Sequence, residues 1–140
     1  MSCLTMPFRF LEHTADARIE CVGRDFAELL ESAAEGLYAV ALRKRRTDMT
    51  LDRTVHVAGA DREEVLVRWL QELLFLLDTE RFVAARFQFE PASEREVRAH
   101  ARGYACAADE RAEEVKSATY QQLCVRGTEQ GLLAQFTLDL

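Results

Sequence analysis

Apolar and polar residues alternate near both ends of the chain, and twice in between the spacing lengthens to the three- and four-residue steps of a helix. Phe8-Arg9-Phe10-Leu11-Glu12 sets Phe8 and Phe10 against Arg9, which predicts a short strand. Ala17-Arg18-Ile19-Glu20-Cys21-Val22 alternates again until Gly23 stops it. His13-Thr14-Ala15-Asp16 is then a hairpin-like connection at the end of two strands. From Asp25 the period changes: Phe26, Leu29, Leu30, Ala33, Leu37, Val40 and Ala41 mark one face of a helix. Asp25, followed three residues later by Glu28, has the pattern of a reciprocal cap. Gly36 inside this helix costs about 1 kcal/mol relative to Ala and suits a close approach of another element.

Leu51 to Ala58 is moderately strand-like. A second helix starts at Asp61, with Glu64 at the reciprocal capping position. Only Arg68, Gln71 and Glu72 interrupt the apolar residues from Val65 to Leu77, so this helix is expected to be central and packed on more than one side, with Trp69 and Phe75 as core anchors. Phe82 to Phe89 and Val97 to Tyr104 read as strands joined by a turn at Pro91-Ala92-Ser93. Glu114 to Val125 and Leu132 to Leu138 supply two more, separated by Gly127 to Gly131. Two helices among many strands, without regular alternation, predict an α+β fold with a largely antiparallel sheet of about six to seven strands. The boundaries are a single domain over 7–140 and a short extension over 1–6.

A chain of 140 residues with six Gly and two Pro suits one packed core. Its net charge of −6 argues against binding nucleic acid through the overall field. Arg43-Lys44-Arg45-Arg46 reads as a solvated exit turn complementing the first helix. Cys3, Cys21, Cys106 and Cys124 form no Cys-x-x-Cys pair, so reduced thiols in a cytoplasmic protein are expected. The first residues lack the pattern of a signal peptide. The Val65 to Leu77 cluster is too short and interrupted to span a bilayer, so no membrane partner is expected.

The chemistry left to consider is carboxylate chemistry. Asp16 closes the first connection and Asp139 precedes Leu140, each where a strand pattern stops. Asp16 in a turn is commonly a local cap. Asp139 beside the carboxylate of Leu140 makes a very negative end that must stay solvated or find a cation. If the two meet, oxygen donors converge without a thiol, which favours a hard divalent cation, Ca²⁺, Mg²⁺ or Mn²⁺, over zinc. His13 is a possible ligand or proton carrier, while His56 and His100 carry no motif. There is no nucleophile elbow and no phosphate-cradling glycine loop. Lys116, Thr119 and Tyr120 form the one other polar cluster in an apolar strand, and alternation places Lys116, Ala118 and Tyr120 on one face with Ser117 and Thr119 on the other. A protein-binding module and a small metal-dependent phosphoesterase using the carboxylates with His13 both fit these residues.

Four segments in order resemble the archease family, the accessory proteins of RtcB-type RNA ligases. They are Phe10-Leu11-Glu12-His13-Thr14-Ala15-Asp16; Val67-Arg68-Trp69-Leu70-Gln71-Glu72-Leu73-Leu74 with Leu77-Asp78-Thr79-Glu80; Val115-Lys116-Ser117-Ala118-Thr119-Tyr120; and Thr137-Leu138-Asp139-Leu140. The resemblance implies a cation site at Asp16 and Asp139, with the Leu140 carboxylate a further ligand and Ca²⁺ the favoured ion. It also implies that the protein is not itself an enzyme. Such proteins promote guanylylation of the ligase, which uses GTP and Mn²⁺ to join RNA ends in tRNA splicing and RNA repair. The ligase is then the expected partner, with RNA reached only through it. Two departures stand out: Gln121 follows Thr-Tyr where the family often has His, and Arg68-Trp69-Leu70-Gln71 replaces Glu-Trp-Leu-Asn.

Overall fold

In the computed structural model the described residues are 7–13, 16–91 and 93–140, with backbone alone at Glu12 and His13. The extension over 1–6, Thr14, Ala15 and Cys3 lie outside them. Strands β1 (Phe8–His13) and β2 (Asp16–Gly23) lead into helix α1 (Phe26–Ala41). Strand β3 (Leu51–Ala58) and helix α2 (Arg62–Glu80) follow, then β4 (Phe82–Phe89) and β5 (Glu96–Ala105). A one-turn 3-10 helix at Ala108–Glu110 precedes β6 (Ser117–Thr128) and β7 (Gly131–Asp139). The seven strands divide into two antiparallel sheets, ordered β1-β2-β7-β6 and β3-β5-β4. The chain leaves the first sheet after β2 and returns to it with β6, so its second and last strands become neighbours.

Both helices begin where the acidic caps predict. Asp25 accepts from the Glu28 N–H at 2.9 Å and Asp61 from the Glu64 N–H at 2.9 Å. The reciprocal arm differs from the expected box by one residue. Glu28 accepts from the Arg24 N–H at 2.8 Å and Glu64 from the Ala60 N–H at 2.6 Å, so each glutamate reaches past its cap. Helix α1 lies on the first sheet, and Gly36 is the close approach: a Cβ there would stand 3.0 Å from Ile19 Cγ2. Beneath it Cys21 is buried, and burial pushes its thiol up to about 12.

Helix α2 is the central element, touching β3, β4 and β5 of one sheet, β6 of the other, and α1. Trp69 is fully buried, stacks near Phe87 and Phe89, and donates its indole N–H to Leu30 O at 2.9 Å. Phe75, expected in the core, is instead 57% exposed. At about 100° per residue it falls on the side of Arg68, Gln71 and Glu72, away from the arc of Leu66, Leu70, Leu73 and Leu77. Counting apolar residues placed it inside, whereas the helical angle puts it out.

The basic run is a solvated exit turn only at Arg43 and Lys44, which are exposed, and not at Arg45 and Arg46. Arg45 pairs with Glu35, lies over the Tyr38 ring at 4.8 Å and donates to Ala84 O. Arg46 lies over Tyr104 at 4.2 Å and pairs with Glu110 at 2.8 Å. These guanidinium groups tie the end of α1 to the second sheet, because buried rings and carbonyls there offer better partners than water. Residues 114–116 precede β6 rather than belong to it, and the strand runs on through Gly127 to a tight turn at Glu129 and Gln130.

Candidate functional site

The β2–β7 ladder runs unbroken from Asp16↔Asp139 to Gly23↔Leu132. Residues directly opposite in an antiparallel ladder point to the same face, with Cβ atoms about 5 Å apart. The next row inward, Ala17↔Leu138, is fully buried against the helices. Asp16 and Asp139 therefore share the outer face, side by side at the open end of the sheet, and both are half-buried. The register of two long-separated segments thus brings the two predicted carboxylates together.

Ser117 faces Asp139 on the other side, extending the row to Asp16, Asp139, Ser117. One row further in on the same face stand Arg18, Thr137 and Thr119. Sequence reading gave no site role to Arg18, at which alternation from Asp16 points, or to Ser117, which only the β6–β7 register sets beside Asp139. The end of the chain is anchored: the Lys116 N–H donates to Asp139 O at 2.8 Å, and the Leu140 side chain packs against the core.

The remaining candidates divide. Lys116 is exposed beside the row, ahead of β6. The alternation expected over 116–120 fails, since Ala118 is buried while Lys116 and Tyr120 are exposed. Lys116 lies outside the ladder and the pairing of β6 breaks after Thr119, so period two does not hold across them. The Thr119 hydroxyl donates to Thr137 O at 3.5 Å and accepts from the Gln121 N–H at 3.3 Å, which makes it an internal brace. The His13 backbone pairs with Ala17, next to Asp16; its side chain is outside what is described. His56 and His100 pair with Glu96 and Glu90 on the second sheet, away from the row.

As a donor set, two adjacent carboxylates and a serine hydroxyl suit a hard cation and not zinc. No hydrogen bond or ion pair joins either carboxylate to another described residue, and like charges directly opposite repel. Among the described residues no group of three His, Cys, Asp or Glu is close enough to hold a metal by itself. The pair supplies part of a coordination shell and leaves the rest open.

The chain matches the model of the archease protein family over residues 8–140. It belongs to the archease family. It is 34% identical to protein archease of Archaeoglobus fulgidus over 137 residues, covering 96% of this chain and 100% of that one. It is 32% identical to protein archease of Methanosarcina mazei over 139 residues, covering 95% of each. The solution structure of Methanobacterium thermoautotrophicum protein 1598 superposes with a TM-score of 0.76 at 26% identity, covering 97% of this chain and all of that one. The fold also matches a Thermotoga maritima archease crystal structure, described as a possible chaperone, with a TM-score of 0.68 at 19% identity over 94% of this chain and 96% of that one. The two-helix, seven-strand architecture is thus the archease fold. No described helix is long and apolar enough to cross a membrane.

Proposed function

We propose that this archease is the activator of an RtcB-type RNA ligase, acting in the cytoplasm in tRNA splicing and RNA repair. It promotes GTP-dependent guanylylation of the ligase and its repeated turnover, and reaches RNA only through that partner. Asp16 and Asp139 hold a divalent cation, Ca²⁺ or else Mg²⁺ or Mn²⁺, with the Leu140 carboxylate as a further oxygen donor. The observation that supports this reading most is the Asp16↔Asp139 pair at the open end of the first sheet, on a chain that belongs to the family.

The chemistry follows from the placement. Two carboxylates that form no ion pair with a described residue attract a cation, and the unfilled shell leaves room for oxygens from outside the protein. A divalent ion there supplies charge neutralisation to phosphate oxygens, an effect worth several kcal/mol in phosphoryl and nucleotidyl transfer. Asp139 is held in place by the Lys116 bond to its carbonyl and by the core contact of Leu140. Asp16 is held by the β2–β7 ladder. Neither group needs to move to meet the other. The acidic surface suits docking on a basic ligase rather than on RNA.

The test is a joining assay with ligase far below substrate, with and without this protein. Repeated turnover and faster guanylylation in its presence are expected, and Asp16→Asn or Asp139→Asn should fold yet fail to stimulate. Equal turnover without the protein, or full stimulation by both variants, overturns the reading.

A further inference from the structure

Strand β6 does not follow β7 along its whole length. Thr119 faces Thr137 and Cys124 faces Gln135, so residues 120–123 stand opposite the single residue Phe136. An ordinary bulge sets two residues against one; this is a loop set into the ladder, three residue pairs in from Asp16↔Asp139 and next to the row of Arg18, Thr137 and Thr119.

The loop is built rather than slack. Thr137 Oγ1 donates to Gln121 O at 3.0 Å and Gln135 Nε2 donates to Gln122 O at 3.2 Å. The Gln121 N–H is taken up by Thr119 Oγ1. Gln122 sits at φ 54°, a left-handed conformation that a side chain rarely adopts. Thr137 lies on the outer face by alternation with Phe136 and Leu138, yet it is only 1% exposed, because the loop folds over it. The product of this construction is an aromatic ring in water: Tyr120 is 57% exposed, followed by exposed Gln121 and Gln122. No residue from Thr119 to Val125 is charged. Strained, braced segments that present an aromatic to solvent belong to recognition sites more than to packing.

We propose that residues 120–123 are the element by which this protein grips its partner beside the acid pair, with Tyr120 as the contact and Thr137 as its positioning residue. The partner is a basic protein surface whose guanidinium group lies on the Tyr120 ring. Charge complementarity favours that occupant: the chain carries −6 overall, the two carboxylates stand at the end of the same sheet three residue pairs away, and an uncharged ring followed by two amides accepts a cation on its face. The proposal rests on the ligase-activator reading and names its docking chemistry.

The experiment measures affinity for the RtcB-type ligase and, separately, for Ca²⁺, using wild type, Tyr120→Ala, Tyr120→Phe, Thr137→Val and Thr137→Ser. Tyr120→Ala is expected to weaken ligase binding about tenfold or more while Ca²⁺ affinity stays within about twofold. Tyr120→Phe keeps the ring and retains binding. Thr137→Val loses the hydroxyl, weakens ligase binding and speeds amide exchange at Gln121, while Thr137→Ser restores both. Ligase binding by Tyr120→Ala equal to wild type overturns the proposal and leaves the activator reading standing. Wild-type protein that neither binds nor stimulates the ligase overturns both. Should Thr137→Val not fold, the Tyr120 pair decides alone.

Discussion

Asp139→Asn offers a sharp physical test, because it is expected to change stability with opposite signs depending on the cation. Without a divalent ion the two carboxylates of the Asp16↔Asp139 pair only repel. At about 5 Å in a largely aqueous setting that repulsion is about 1 kcal/mol. Asn is isosteric and no described residue bonds the Asp139 side chain, so the gain is reduced only by the loss of a longer-range, screened attraction to Arg18, one outer row in, and to exposed Lys116. For a chain of 140 residues this corresponds to a melting temperature about 3 °C higher than wild type in chelator. With the ion at about a hundred times its dissociation constant, wild type gains about 2.7 kcal/mol, roughly 9 °C, and the variant gains little. The melting curves should therefore cross: the variant leads in EDTA and wild type leads by about 6 °C in saturating Ca²⁺. Scanning calorimetry or fluorescence melting reads both conditions. A variant that melts below wild type in EDTA, or that gains as much from Ca²⁺, refutes the reasoning.

Three further outcomes follow from the fold. Trp69→Ala should cost about 3–5 kcal/mol because it empties the space beside Phe87 and Phe89 and removes the bond to Leu30 O, whereas Phe75→Ser should lie within about 0.5 kcal/mol of wild type; urea denaturation separates the two. Arg45→Met removes the Glu35 pair, the contact with the Tyr38 ring and the bond to Ala84 O, and should cost about 1–3 kcal/mol by the same assay. Burial raises the thiol of Cys21 to about 12 and raises the Tyr38 hydroxyl, so both stay protonated in the fold. The stability contributed by Cys21 is complete below the thiol's ordinary value of 9.0 and is lost as pH rises towards about 12. Cys21→Ala should flatten the loss of stability across that range, read by urea denaturation at stepped pH, and an unchanged slope counts against the assignment.

Much of the fold was legible because it is local. The Asp25 and Asp61 caps and the change of period marked both helices, and alternation marked β2, β5 and β7. The site was legible in part: two carboxylates at strand ends could be named, but only the β2–β7 register, a long-range property, sets one opposite the other. The division into two sheets depends on the return of β6 beside β7 and has no local signal. Phe75 misled because apolar character was counted without its angle around the helix. Arg45 and Arg46 misled because a run of cations looks solvated until the rings that receive them are placed. The loop at 120–123 left no trace, since it holds neither Gly nor Pro and its left-handed residue is Gln122.

The central claim is that Asp16 and Asp139 act together on one cation. Calorimetric titration of Ca²⁺ and of Mn²⁺ into the chelator-treated protein tests it most directly. One saturable site in wild type, lost in both Asp16→Asn and Asp139→Asn, is the expected result. The absence of saturable heat in wild type, or a site that survives both substitutions, contradicts it.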